Sequence, residues 1–319
     1  MAVYTDVSKA ELEGFLADFD LDAALAFKGV AEGVENSNFM LETQGGCFIL
    51  TLYEKRTRAA DLPFFLGLMG HLAARGYPCP TPIADRAGVF LKSLRGKPAA
   101  LTTFLPGRPA AAPTIAHCLA AGEGLAWLHL AAQDFAERRA NDLGHAAWAA
   151  MFAPLSQAAE ALEPGLARSI EADVALLADA WPADLPRGIV HADYFPDNVF
   201  FEGGRFVGAI DFYFAAYDAL AYDIGVALNA WCFEPDGAFD AIKARALVDG
   251  YQRRRTLTKK EKAALPLMAR GGAMRFFLTR LADWGATPAG ALVAPKNPLE
   301  YARRLAAHRA GIDILGGVA

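Results

Sequence analysis

The segment that most limits what this chain can become is residues 188–212, GIVHADYFPDNVFFEGGRFVGAIDF, a strand, loop and hairpin set in an otherwise helical stretch. It contains His191-Ala192-Asp193-Tyr194-Phe195-Pro196-Asp197-Asn198, then Gly203-Gly204, then Ile210-Asp211-Phe212, so a carboxylate follows the Asn by thirteen residues. A Gly-Gly pair closes a two-residue hairpin because both turn positions take positive φ. With Val199-Phe200-Phe201 and Arg205-Phe206-Val207 as arms, Asn198 is expected opposite Ala209 and diagonal to Asp211. Side chains so placed lie roughly 7–8 Å apart, within reach of one cation. Asp193 falls in the loop ahead of the hairpin, where Pro196 stops a continuing strand.

These residue types suit phosphoryl transfer, which needs positioning and charge neutralisation more than covalent help. Mg²⁺ takes oxygen ligands and keeps waters, so one carboxylate and one amide carbonyl beside phosphate oxygens suffice. Asn198 and Asp211 are therefore the expected metal ligands. A carboxylate uncommitted to metal can accept the proton of an attacking hydroxyl, and Asp193 takes that role. His191 is expected to brace the loop. Any one of these Asp residues alone reads as a turn former; the fixed offsets make the set functional.

Around this segment the chain falls into two halves. A capped helix opens it, with Ser8 and Glu11 as a capping box and Leu12, Phe15, Leu16 and Phe19 on one face. Strands are expected at Phe39–Thr43, Cys47–Tyr53, Val89–Leu94 and Ala99–Phe104, with turns at Gly45-Gly46 and Arg95-Gly96-Lys97. One helix interrupts them, N-capped by Asp61, striped by Phe65, Leu66, Met69 and Leu72, and ended by Gly76. From Thr114 onward the sequence is Ala/Leu-rich and helical, and Thr258 with Glu261 caps a late helix. The fold class that follows is α+β, a small antiparallel sheet followed by a larger helical part.

With 54 % hydrophobic and 21 % charged residues the chain has ample material for a core. A net charge of −5 supplies no electrostatic reason to expect nucleic acid or an anionic membrane as partner. The scattered Cys47, Cys79, Cys118 and Cys232 read as thiols in a reducing compartment. The N-terminus lacks the basic and apolar runs of a secretory signal, no span is long and apolar enough for a bilayer, and a cytoplasmic enzyme is the expectation.

The segment resembles the catalytic and metal-binding loops of the aminoglycoside phosphotransferase and choline kinase superfamily, relatives of the protein kinases. The resemblance covers nearly the whole chain. It implies a two-lobed, protein-kinase-like fold: a nucleotide-binding lobe over 1–103, a hinge at 104–108 and a catalytic and substrate-binding lobe over 109–319. Leu101-Thr102-Thr103-Phe104-Leu105-Pro106-Gly107 resembles the hinge, which makes Phe104 and Leu105 nucleotide contacts. Asp218 and Tyr222-Asp223-Ile224 resemble the part that holds the carboxylate supporting the catalytic loop. More narrowly, GVENSNFML (33–41), FILTLYEKR (48–56), DLPFFLGLM (61–69), HADYFPDNVFF (191–201), IDFYFA (210–215) and ALNAWCFE (227–234) are similar to the kinase-like type of bacterial homoserine kinase. That resemblance implies ATP, Mg²⁺ and L-homoserine giving O-phospho-L-homoserine, a step of threonine biosynthesis. Spacing alone reaches a kinase, and choline, methylthioribose or an aminoglycoside stay open as acceptors, as does an inactive nucleotide-binding module.

The pattern departs from protein kinases where a strand Lys pairs with a helix Glu. Thr51 stands about where that Lys is expected, and no carboxylate lies between Asp61 and Asp85. Lys28 and Lys55 are the alternatives for reaching phosphate. The loop from Lys28 to Asn38 offers Gly29, Gly33 and Ser37 to phosphates, with Glu32 and Glu35 turned away, although its glycines lack GxGxxG spacing. Trp231 and Tyr213 are candidates for lining a substrate pocket, or are core. Asp197 and Asp218 are candidates for a substrate ammonium. Arg275 and Arg280 face a substrate carboxylate or are surface charges.

Overall fold

The structure is a computed structural model that describes residues 4–30, 36–54, 57–286 and 295–315. The chain divides into two compact units, Met1–Pro106 and Gly107–Ala319. No helix among the described residues is long and apolar enough to cross a membrane.

The first unit carries α1 (Lys9–Leu16), the strands β1 (Ala26–Gly29), β2 (Ser37–Thr43) and β3 (Gly46–Leu52), then α2 (Leu62–Ala74), β4 (Pro82–Ile83), β5 (Lys92–Leu94) and β6 (Lys97–Thr103). All pairs are antiparallel, in the order β1-β2-β3-β6-β4 with β5 also on β6. The capping box of α1 forms as expected, Ser8 accepting from the Glu11 N–H while Glu11 accepts from the Ser8 N–H. Its apolar face then packs Leu12, Phe15 and Leu16, with Phe19 just beyond, onto Phe39, Leu41, Phe48, Leu50, Leu52 and Leu101 of the sheet. The alternation of the strands is what supplies that inward row.

Two local expectations need correction. The strand expected from Val89 is only Lys92–Leu94, because the Asp85 carboxylate accepts the N–H groups of Ala87 and Val89 and folds that stretch into a turn. Asp61 sits at the N-cap of α2 but makes no cap hydrogen bond; Arg58 takes its carboxylate. The short β1 and β4 carried too little apolar pattern to be seen.

The second unit begins with β7 (Arg108–Pro109) and continues through α3 (Ile115–Ala131), α4 (Trp148–Phe152), α5 (Ser156–Leu162) and α6 (Leu166–Ala180). Next come β8 (Arg187–Val190), β9 (Val199–Glu202), β10 (Arg205–Ala209), β11 (Ala216–Ala219), α7 (Leu220–Trp231), α8 (Ala241–Gln252), α9 (Lys259–Ala286) and α10 (Leu299–Arg309). β10, β9 and β7 form one small sheet and β11 with β8 another. Gly203 and Gly204 turn the β9–β10 hairpin with φ of 56° and 80°, as a two-residue turn demands.

Two helix contacts fix the frame around that hairpin. A Cβ on Gly225 of α7 would lie 2.5 Å from the Met268 carbonyl of α9, so the two backbones touch there. The Asn229 amide then donates to the carbonyls of Gly225 and Ala269. α9 itself starts on the expected capping box of Thr258 and Glu261. Asp223 rides on α7 and Arg275 on α9, so this contact sets where both arrive.

Candidate active site

The site is built at the end of β8. The main-chain N–H groups of His191 and Ala192 donate to the two carboxylate oxygens of Asp223, at 2.6 and 2.8 Å. That two-point grip holds Ala192 at φ 61°, a left-handed conformation costing an L-residue roughly 1–2 kcal/mol. The chain reverses there and presents Asp193. Asp223 is fully buried, and its other partner is His129 Nε2 at 3.1 Å, whose Nδ1 meets the Tyr251 hydroxyl at 2.8 Å. Burial pushes the Asp223 carboxyl up, but the hydrogen bonds it accepts, from His129 first and then from the His191 main chain, outweigh it and hold it below the ordinary carboxylate range. Asp223 is thus an ionised anchor for the loop.

His191 is the second brace. Its Nδ1 accepts the Asp193 N–H at 3.3 Å, so the proton sits on Nε2, which donates to the Ile210 carbonyl at 2.9 Å. Burial lowers its pKa and keeps the ring neutral. One imidazole ties the loop carrying Asp193 to the strand end that precedes Asp211.

Asp193 keeps 18 % of its side chain exposed. Arg275 Nη1 donates to its Oδ1 at 3.2 Å and Asn198 Nδ2 to its Oδ2 at 3.0 Å. Asn198 Nδ2 also donates to the Asp193 carbonyl at 2.9 Å. With its amide nitrogen spent on Asp193, Asn198 has its hard amide oxygen to offer a cation. The register on the other arm differs from expectation. A bulge at Val207 pairs Val199 with Ala209, and the Ile210 N–H donates to the Asn198 carbonyl. Asn198 therefore lies opposite Ile210, and Asp211 follows at once, at φ 64°. An extra residue in one arm advances the partner by one and turns the next side chain. A carboxylate and an amide oxygen are the donor set that fits Mg²⁺ beside phosphate. Among the described residues no cluster of three or more His, Cys, Asp or Glu forms an all-protein metal cage.

A model of the phosphotransferase enzyme family matches residues 26–257. The chain belongs to that family. It is 63 % identical over 317 residues to a homoserine kinase of Caulobacter sp. (strain K31), covering 99 % of both chains. It is 64 % identical over 315 residues to a homoserine kinase of Phenylobacterium zucineum (strain HLK1), covering 99 % of this chain and 98 % of that one. An amicoumacin kinase solved with AMP-PNP and Ca²⁺ shares the fold, with a TM-score of 0.68 at 15 % identity over 95 % of this chain and 92 % of that one.

The remaining expected residues of this phosphotransferase fall out unevenly. Ser37 is fully buried in β2; its hydroxyl accepts from the N–H groups of Tyr4 and Thr5 and donates to Glu54, which withdraws it from phosphate contact. Thr51, at the position expected of a Lys, is buried and donates to Asn38 on the neighbouring strand. Gly33 and Lys55, with Glu32 and Glu35, lie outside the described residues. Gly29 is exposed at the end of β1, as is Lys28 beside it, while Phe104 is exposed, its N–H on the Cys47 carbonyl, and Leu105 is half-buried. Trp231 is core and not pocket lining: it is 1 % exposed and its indole N–H donates to the Tyr194 carbonyl. Asp218 is buried and accepts from Asn141 and the Ala219 N–H, so it braces β11 and does not await an ammonium. Asp197 is exposed with Lys296 at 3.7 Å, and Tyr213 is half-buried. Arg280 is also buried, on Glu300.

The Asp193–Arg275 pair was not anticipated. Its one trace in the sequence is an Arg between Met274 and Phe276 in an apolar helix run, where a buried cation needs a partner.

Proposed function

We propose that this phosphotransferase moves the γ-phosphoryl group of Mg·ATP to the side-chain hydroxyl of L-homoserine, releasing ADP and O-phospho-L-homoserine. The observation that carries the chemistry is Asp193: a partly exposed carboxylate with one donor on each oxygen, Arg275 and Asn198. So held, it accepts the hydrogen bond of the incoming hydroxyl, orients its lone pair along the line of attack and receives its proton as the new O–P bond forms. Asn198 Oδ1 and Asp211 would hold the divalent cation, which supplies neutralisation of phosphate charge. His191 and Asp223 keep the loop from moving during the step. Gly29, Phe104 and Leu105 remain the nucleotide contacts of this reading; Ser37 is dropped.

The acceptor is assigned from the homoserine kinases that match at 53–64 % identity over nearly their whole length. The test is ADP release under identical Mg·ATP with homoserine, serine, threonine, choline and one aminoglycoside. Homoserine should show the highest kcat/KM; serine, one methylene shorter, should lose kcat because its hydroxyl stops short of the phosphate. Choline or the aminoglycoside in first place would leave the kinase reading standing and overturn the homoserine one.

A further inference from the structure

Arg275 is 2 % exposed on α9, with its guanidinium carbon over two rings, 3.9 Å from the Phe276 centroid and 4.6 Å from that of Phe214. Whatever hydrogen-bond acceptor the group holds must meet its edge, where five N–H bonds radiate in one plane. One of them, on Nη1, goes to Asp193. Among the described residues no other acceptor takes the rest. Other buried or half-buried arginines of this unit are supplied differently: buried Arg280 has Glu300 and the Asn297 carbonyl, half-buried Arg304 has Glu300 and the Asn229 carbonyl, and half-buried Arg255 has Glu261 and the Tyr251 hydroxyl. No Arg275 nitrogen is among the fully enclosed unpaired atoms of the described residues, so the donors that Asp193 leaves over open to solvent, where a ligand can reach them.

From this we infer that Arg275 is the receptor for the carboxylate of the acceptor substrate, gripping it with the N–H groups that Asp193 does not use. The inference rests on the amino-acid acceptor proposed above. One side chain then sets both ends of the substrate. Its Nη1 orients the oxygen pair that receives the hydroxyl proton, and its free edge fixes the carboxylate a few bonds away, the short span of a γ-hydroxy amino acid. A planar fork matches a carboxylate with two parallel hydrogen bonds. Such a site rejects an acceptor without that group, because binding it covers the spare donors and leaves them unpaired. Asp218 is taken by Asn141, and the cation in contact with Asp193 is Arg275.

The competing anion for Arg275 is the transferring phosphoryl group, and a cycle of two substrates and two proteins separates the two. Homoserine is compared with 3-aminopropan-1-ol, the same molecule without its carboxylate, in the parent and in Arg275→Met. The parent should favour homoserine in kcat/KM by roughly 10³-fold or more. In the variant that ratio should collapse to about 10-fold or less, since removing a charged partner from a buried pair costs about 10²-fold or more. Loss of Asp193 orientation or of phosphoryl contact instead lowers both substrates by one factor; an unchanged ratio overturns the assignment. Arg275→Gln, which keeps an N–H donor, carries the same comparison if the methionine variant does not fold, with the same collapse expected. A parent protein that ignores homoserine overturns the acceptor reading by itself, before any variant is compared.

Discussion

At the scale of single residues, the chemistry turns on how completely Asp193 is specified. Arg275 and Asn198 both donate to it, so each of its oxygens is committed to being an acceptor. Asp193→Asn keeps the shape but must turn an NH₂ toward one of these donors, and it has no lone pair basic enough to take a proton. We expect kcat to fall by roughly 10²–10⁴-fold with nucleotide affinity, read by calorimetry, near that of the parent. A variant with near-normal kcat would remove Asp193 from the step. His191, Asp223, His129 and Tyr251 touch no reacting atom in this account. They hold Ala192 in its left-handed turn, and a loop held that way presents one orientation of the base instead of many.

The elements that bring those residues together are helices whose backbones meet at glycines. α3 and α8 cross with Gly122 against the Leu247 carbonyl and Gly250 against the Leu119 carbonyl; an added Cβ at either position would lie 1.9 Å from that oxygen. Farther along the same helices are His129 and Tyr251, the outer links of the chain that ends on Asp223. Gly122→Ala gains up to about 1 kcal/mol of helix propensity yet must push a helix aside, and overpacking of this kind costs about 1–3 kcal/mol, occasionally more. Urea unfolding should show a net loss of stability, and an equal or higher midpoint would contradict so close a crossing. The same device at Gly225 sets α9 against α7, and with it the reach of Arg275 to Asp193.

For the molecule as a whole, acid is the condition to which this packing is sensitive. Burial lowers His308 to about 4 and also lowers His191, and in both cases the fold favours the neutral ring. A histidine in the unfolded chain has a pKa near 6.5. Above that value neither state binds the proton and their contribution is intact. As pH falls through 6.5 toward 4, the unfolded chain takes up protons that the folded one refuses, and stability drops. Each such ring contributes at most about 1.4 kcal/mol per pH unit across that window. The Asp223 and Glu300 carboxyls, held low by their partners, add losses in the same direction below the ordinary carboxylate range. Unfolding midpoints at pH 7, 6 and 5 should therefore decline in order, and a midpoint that rises on acidification would contradict the neutral assignment of His308 and His191.

Local chemistry by itself determined a good deal of this protein. Ser8 with Glu11, Thr258 with Glu261 and Gly203-Gly204 act over three or four residues, so their caps and turn were legible as written. So were the loop and hairpin that carry Asp193, Asn198 and Asp211, because the offsets between those residues survive any packing. The register of the hairpin did not follow: one bulge at Val207, invisible in the pattern of apolar residues, moved Asn198 opposite Ile210. Tertiary structure alone decided which polar side chains are spent internally. Ser37, Asp218 and Trp231 look equally available in sequence, and only the folded chain brings them the donors and acceptors that take them out of the site. It also decided that Arg275, 82 residues along the chain from Asp193, arrives on it, since that contact depends on how closely α7 and α9 approach at Gly225. Hydrogen bonds within a turn are fixed by neighbours in sequence; a buried ion pair is fixed by the distance between helix axes, and no run of residues encodes that distance locally.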